Sequence, residues 1–329
     1  LNEQTREAKL IELGWSSFFR DQIDDDEAGL VPVRITHVHR TRMSGLSALG
    51  PVELALPSNN STGEYAVGDF VLAEPHDFAV RRRLDRASLL SRRMSDGSTQ
   101  LSGANIDTLF IVTSCNEDFD VPRLERYLAM ASQTEIAPVL VLTKADTAED
   151  AARFVAQATR LARDLPVVLV DPRQGDALAT LQPWFGPGRT VALTGSSGVG
   201  KSTLVNTLAA KGSGTAQLTG AVRAHDSMGR HTTTARSLHP VAGGGWVLDA
   251  PGIRTLHVGE MAEGLDAVFA EITDLASQCR FGNCTHTHEP GCAVLAAVAR
   301  GEIDPERLLR WRNLHVENTA AGAPRTRRR

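Results

Sequence analysis

Three short stretches of this chain carry residue types at spacings that bind and cleave a nucleoside triphosphate. The first is Gly195-Ser196-Ser197-Gly198-Val199-Gly200-Lys201-Ser202, followed by Thr203. Its glycines let the backbone curl so that successive N–H groups face phosphate oxygens, and a helix starting at its end adds a positive dipole end. In this pattern Lys201 reaches the β- and γ-phosphates, and the Ser202 hydroxyl coordinates Mg2+. The second is Asp249-Ala250-Pro251-Gly252 behind the apolar run Trp246 to Leu248. An acid ending a neighbouring strand holds Mg2+ through water, and the Gly252 N–H meets the γ-phosphate. Alone, such a tetrapeptide is an ordinary turn; after a phosphate loop and at a strand end it is specific.

The third stretch is Thr143-Lys144-Ala145-Asp146, closing the apolar run Val139 to Leu142. The Asp146 carboxylate accepts from both N1–H and the 2-amino group of guanine. Adenine offers a donor at neither place, so the wrong base leaves the acid unpaired. The Lys144 stem lies along the base face. Thr143 stands where asparagine is usual, which removes an amide able to bond the base and brace the phosphate loop. Guanine preference is still expected.

A fourth cluster has different chemistry. Cys279, Cys284, His286 and Cys292 place three thiols and an imidazole in one short segment. That donor set matches one structural, tetrahedral Zn2+ with no open position for catalysis, on which the local fold depends. On spacing alone His288 is an alternative ligand. Cysteines clustered beside histidines, with Cys115 by itself, read as a metal site in a reducing compartment, not as a disulfide framework. The cytoplasm is the expected location.

These groups need a scaffold. Thr108 to Val112, Val139 to Leu142, Val167 to Val170, Val191 to Thr194 and Trp246 to Leu248 are short apolar runs of the buried parallel-strand type. Helical patterns alternate with them: Pro122 to Gln133, a helix after Thr147 whose spacing to Asp150 resembles a capping box, and Ser202 to Ala210. The expectation is an α/β doubly wound, mostly parallel sheet with ligands at the carboxyl ends of its strands. Ahead of it, Val31 to Ile35, Val52 to Leu56 and Asp69 to Ala73 alternate like strands of a small β-barrel, OB-like or SH3-like. Ser95 to Gly103 reads as a loop. After Glu260 the chain turns helical, with helices at Ala293 to Arg300 and Pro305 to Val316. The expected division is 1–29 helical lead-in, 30–84 OB-like barrel, 85–259 nucleotide-binding domain and 260–329 helical zinc-binding domain with a basic tail.

Composition sets the outer bounds. The 329 residues are 42% hydrophobic and 22% charged, with a net charge of −4. No apolar run of membrane-spanning length occurs. Leu1 to Lys9 lacks the apolar core of a signal peptide. Charge is patchy: Asp24 to Glu27 is acidic, Arg81, Arg82, Arg83, Arg86, Arg92 and Arg93 form a basic block, and the tail carries Arg325 and Arg327 to Arg329. Solvated surface explains any one arginine; the clustering keeps binding to a phosphate backbone open.

The order of the motifs decides more than any single one. Ordinary GTPases run phosphate loop, Asp-x-x-Gly, then base recognition; here base recognition comes first, so the domain is circularly permuted. With Ala104-Asn-Ile-Asp107, Leu124-Glu-Arg-Tyr127, Gly229-Arg-His-Thr-Thr-Thr234 and the cysteine cluster, the chain from about Val31 onward resembles the ribosome small-subunit-dependent GTPase A family of bacterial assembly factors. The resemblance implies GTP hydrolysis to GDP with Mg2+, binding to the 30S subunit and 16S rRNA during late maturation, and release on hydrolysis. It implies that Gly229 to Thr234 is the first switch, with Thr233 or Thr234 on Mg2+, and that His286, not His288, completes the zinc site. Ile253 follows Gly252 where Ras-like enzymes have a water-orienting glutamine. His231 is then a candidate for that catalytic role beside Lys201, and a plain loop histidine is the competing reading. The usual Ser-Ala base-contact loop is altered to Asp171-Pro172. A monomer without membrane contact is expected. The alternatives are a P-loop ATPase or small-molecule kinase without guanine selectivity, and an RNA-binding scaffold with a vestigial nucleotide site.

Overall fold

The alternating residues from Val31 onward close into a barrel, and the apolar runs after it stack into a covered sheet. The computed structural model describes residues 2–56, 60–94, 98–174, 176–209, 236–249 and 261–322. Among these, no helix is long and apolar enough to cross a membrane. Two helices lead in, α1 (Glu3–Glu12) and α2 (Ser17–Arg20). Trp15 and Phe19 beside them pack on Phe70 of the barrel with centroids 5.1 and 4.6 Å away.

The barrel strands are β1 (Val31–Val38), β2 (Met43–Ser47), β3 (Gly50–Leu54), β4 (Phe70–Ala73) and β5 (Val80–Arg83). β1 pairs antiparallel with β2 and β4, β2 with β3, and β4 with β5. A parallel bridge between Ala55 and Ala79 joins the β3 end to β5 and closes the ring. That order, 1-2-3-5-4-1, is the OB arrangement and removes the SH3-like alternative. Val33, Ile35, Met43, Val71 and Val80 fill the interior, while Leu46, Phe70 and Leu72 face outward into the larger core under the lead-in. One face of each strand thus serves each core.

Two barrel strands lie outside the three runs read from sequence. β2 carries Gly45, whose missing Cβ would stand 2.6 Å from the Arg34 carbonyl, so close strand packing put a glycine where a loop seemed natural. β5 is the start of the arginine block. Its Arg82 pairs with Glu27 of the acidic block, as Arg81 does with Glu74 and Arg86 with buried Asp69. Most of what reads as loop from Ser95 to Gly103 belongs to a hairpin of β6 (Leu89–Arg93) and β7 (Thr99–Ala104). Gly103 is required there by packing, since a Cβ would meet the Leu248 side chain at 2.1 Å.

The α/β part follows: β8 (Thr108–Ser114), α3 (Val121–Gln133), β9 (Ala137–Thr143), α4 (Ala151–Ala158), β10 (Val167–Leu169), α5 (Ala177–Leu181), β11 (Thr190–Thr194), α6 (Lys201–Leu208), β12 (Ser237–Pro240) and β13 (Trp246–Asp249). The strand order is β10-β9-β8-β11-β13-β12, parallel except for β12. Every residue of β8 is buried, as expected of a central strand covered on both faces. Leu109, Ile111 and Leu140 face one core with α3, and Phe110, Val112 and Val139 face the other with α5 and α6. Asp150, not Thr147, caps α4: its side chain accepts from the Arg153 N–H, while Thr147 closes a preceding turn. The shorter Asp150 cap satisfies the first-turn donor directly.

Four helices end the described chain: α7 (Ala262–Val268), α8 (Ala270–Ala276), α9 (Ala293–Ala299) and α10 (Pro305–Gly322). α7 lies on α3 so closely that a Cβ on Gly264 would stand 2.0 Å from the Ala129 carbonyl. Beside this crossing, fully buried Glu125 of α3 accepts from Arg307 and Arg310 of α10, each at 3.0 Å. At the other end, buried Arg34 of β1 donates to the Leu13 carbonyl and the Thr190 hydroxyl, both at 2.6 Å. Burial pulls its guanidinium down to about 10, still charged at neutral pH. β1 also pairs with β12 at His37 and Ser237, so barrel and α/β sheet are continuous.

Candidate functional site

The carboxyl ends of the parallel strands β9, β11 and β13 share one edge of the sheet, and Thr143 to Asp146, Gly195 to Thr203 and Asp249 follow or end them there. After β11, Gly195 adopts φ 136° and passes so near β8 that a Cβ would lie 2.0 Å from the Val112 carbonyl. Only glycine fits. Gly200, at φ 99°, is the N-cap of α6. Val199 between them is buried and anchors the loop to the core, while Ser197, Gly198, Ser202 and Thr203 face solvent. Lys201 folds back over the loop, donating from Nζ to the Gly195 carbonyl at 2.8 Å and also to that of Ser196. Arg123 of α3, held by Asp120 at 3.2 Å, donates to the Ser196 hydroxyl. Asp249 ends β13, which runs parallel to β11.

Thr143 closes β9 with its hydroxyl buried. It donates to the Val199 carbonyl at 2.7 Å, with the Thr113 carbonyl at 3.2 Å. The replacement of asparagine therefore keeps a brace on the phosphate loop, contrary to the sequence expectation, because a hydroxyl is long enough to reach it. Lys144 sits in the left-handed region at φ 56°, with Nζ 4.0 Å from Asp118. Ala145 and Asp146 follow in a single helical turn. The Asp146 carboxylate accepts from Arg173 Nη2 at 2.7 Å. Asp171 accepts from the Arg173 backbone N–H at 3.0 Å and from its Nε at 3.2 Å. These donors hold the Asp171 carboxyl below its ordinary range, and both carboxylates hold the Arg173 guanidinium above its own. His231, Thr233, Thr234 and Gly252, with the rest of Gly229 to Thr234, lie outside the described residues, as do Arg325 and Arg327 to Arg329.

The second centre is the cysteine cluster. The ligand atoms of Cys279, Cys284, His286 and Cys292 all lie within 4.8 Å of one another. Zinc–sulfur bonds of about 2.3 Å in a tetrahedron put sulfurs roughly 3.8 Å apart, and sulfur to nitrogen roughly 3.6 Å. The Cys279 and Cys292 sulfurs are 3.8 Å apart, and His286 Nδ1 lies 3.5 and 3.3 Å from them. The donor set fits a zinc site. Burial pulls the His286 imidazole down, keeping it neutral as a ligand must be. Burial pushes the Cys284 thiol up to about 11. For Cys279 burial acts the same way, but N–H groups of Ala293 and Val294 and the neighbouring sulfurs outweigh it and lower the thiol. His288 is exposed and outside the cluster. Glu289 ties the ligand loop together, accepting from the Thr285, Thr287 and His288 N–H groups at 2.8, 2.9 and 3.1 Å.

The sequence alone points to no role for Arg123, Arg173, Glu289 or the Glu125–Arg307–Arg310 group. Only Glu125 carried a signal, as part of Leu124 to Tyr127.

Residues 83–259 match the family model described as RsgA GTPase. The small ribosomal subunit biogenesis GTPase RsgA of Mesorhizobium japonicum is 58% identical, spanning 94% of this chain and 90% of that protein. Small ribosomal subunit biogenesis GTPase RsgA 2 of Vibrio vulnificus is 43% identical over 91% of this chain and 85% of its own. Among solved structures, YjeQ from Thermotoga maritima shares the fold with TM-score 0.65 at 24% identity, covering 88% of this chain and 98% of its own. YloQ, described as a circularly permuted GTPase, shares it with TM-score 0.62 at 23% identity, covering 92% and 100%. The chain belongs to the RsgA GTPase family and is a GTP-hydrolysing enzyme.

Proposed function

We propose that this enzyme binds the small ribosomal subunit in the cytoplasm, assists its late maturation, and couples GTP hydrolysis to its own release. The observation that supports this best is the joining of a guanine-type acid, Asp146, to an intact phosphate loop through the Thr143–Val199 hydrogen bond. Relatives over nearly the whole chain carry the name of small ribosomal subunit biogenesis GTPases.

In this reading Asp146 selects guanine and Lys144 lies along the base. The N–H groups from Gly195 to Thr203 cradle the phosphates. Lys201 offsets charge as the bond to the γ-phosphoryl group breaks, which is where an oriented cation lowers the barrier. Ser202, Asp249 and one of Thr233 and Thr234 would hold Mg2+, which when bound neutralises charge on the phosphate oxygens. His231 orients the attacking water, since Ile253 has no polar group to do so. Cys279, Cys284, His286 and Cys292 would hold one Zn2+, which when bound fixes the segment between α8 and α9.

The domain limits follow as 1–29, 30–84, 85–259 and 260–329, with the barrel and the zinc domain gripping 16S rRNA and the chain acting as a monomer. Arg86 is held by buried Asp69, whereas Arg81 and Arg82, in exposed and half-exposed ion pairs, remain able to meet rRNA phosphates. The test is GTP and ATP hydrolysis with and without purified 30S particles. Stimulated GTP turnover and little ATP turnover are expected. Equal use of ATP removes the guanine assignment, and indifference to 30S removes the ribosomal one. Asp146→Asn is expected to move preference from guanine toward xanthine nucleotides.

A further inference from the structure

The guanine edge read by Asp146 is a fork of N–H donors on one carbon: N1–H and the 2-amino group. An arginine guanidinium presents the same fork with a full positive charge. Arg173 sets one arm of such a fork on Asp146, with Nη2 2.7 Å from Asp146 Oδ2, while its Nε lies 3.2 Å from Asp171 Oδ1. We propose that Arg173 is an internal guanine mimic, a specificity-site residue that holds Asp146 until the base displaces it. This inference rests on Asp146 being the guanine reader.

The loop is built to return the guanidinium after each displacement. Asp171 accepts from the Arg173 backbone N–H at 3.0 Å and from Gln174 Nε2 at 3.1 Å. The Pro172 carbonyl accepts from the Thr207 hydroxyl of α6 at 2.6 Å. The backbone at 171–174 is thus tied to the helix that follows the phosphate loop, and the Arg173 side chain moves from a fixed origin. Its side chain is 64% exposed and that of Asp146 41% exposed, so an incoming base reaches the pair without opening the core. Asp171, bound to Arg173 Nε at 3.2 Å, keeps a partner for the guanidinium once Asp146 is released.

A ligand that must displace an internal group has its affinity reduced in proportion to the fraction of time the site is free of that group. Exposed ion pairs hold their partners by roughly two- to five-fold, and salt screens them. Arg173→Ala is therefore expected to bind a fluorescent GDP analogue about two- to five-fold more tightly than the parent at low ionic strength. The difference is expected to vanish near about 1 M salt. Arg173→Lys, a point charge without the fork, is expected to fall between them. In an Asp146→Asn background, Arg173→Ala is expected to leave xanthosine diphosphate binding unchanged.

Equal or weaker GDP binding by Arg173→Ala overturns the proposal, as does equal tightening in the Asp146→Asn background. Failure of the guanine reading is separate: Asp146→Asn would then keep its guanine preference. Circular dichroism of Arg173→Ala confirms that the exposed substitution leaves the fold intact.

Discussion

Thr143→Val tests whether the phosphate loop is held open for nucleotide by a single hydroxyl. The Thr143 residue is 1% exposed, and valine nearly preserves its shape, so the change removes a donor and little else. The hydroxyl oxygen lies 2.7 Å from the Val199 carbonyl and 3.2 Å from that of Thr113. Leaving a buried carbonyl unpaired costs about 1–3 kcal/mol, a factor of roughly 5 to 150 in an equilibrium constant. The loop can relax in the free chain, and nucleotide must then impose the braced shape. The lower part of that range should appear as weaker binding, about five- to ten-fold for GDP. Thr143→Ser keeps the donor and should stay within about two-fold. Titration with a fluorescent GDP analogue, beside thermal unfolding of each variant, separates affinity from stability. Thr143→Val binding within two-fold of the parent, with an unchanged Tm, would refute the brace.

Other expectations follow from the contacts between domains. Glu125→Gln replaces a fully buried carboxylate by a neutral amide beside Arg307 and Arg310, which are 12% and 21% exposed, and Arg307 keeps Glu271. It should destabilise by about 1–3 kcal/mol in urea unfolding, and an unchanged stability would contradict the role of the Glu125 carboxylate. Chelation should release one equivalent of zinc and alter the near-ultraviolet dichroism of Trp311, whose ring stacks edge-on to His286 at 5.3 Å. Retention of that signal after complete metal removal would show that the ligand segment holds itself. The Glu27 carboxyl should titrate below the ordinary glutamate range in the folded chain because Arg82 donates to it. Its folded value is depressed, so the stability it adds is present above the unfolded value and disappears as pH falls through the folded one. Arg82→Ala should raise the midpoint seen by NMR, with the Asp24 N–H still holding it down in part.

What the residues declare in advance is what backbone sterics and ligand chemistry make obligatory. Gly195 and Gly200 sit where a Cβ is excluded or φ is positive, so the phosphate loop could not be written with other residues. Three thiols and an imidazole gathered within 4.8 Å have no common use other than holding a metal ion. β8, β9 and β11 are apolar because both their faces are covered. The misses share a different cause, which is tertiary context. Gly45 and Gly103 look like loop residues but answer to a neighbouring strand and to Leu248. Thr143 meets Val199 across 56 positions of sequence. An exposed arginine such as Arg173 resembles every other until its carboxylate partner is in view.

The permuted strand order has a consequence for how the chain is made. β8 needs β11 on one side, yet β11 begins 76 residues after β8 ends (190 − 114). At synthesis rates of about 5–20 residues per second, the ribosome takes roughly 4–15 s to deliver it. Until then β8 can pair only with β9, and its other edge, Thr-Leu-Phe-Ile-Val-Thr-Ser, stands as an open template for a foreign strand. In the unpermuted order the phosphate-loop strand emerges first and waits for its neighbours. Here it arrives as the insert that closes the sheet, so nascent chains stalled before Thr190 should be those that most need a chaperone.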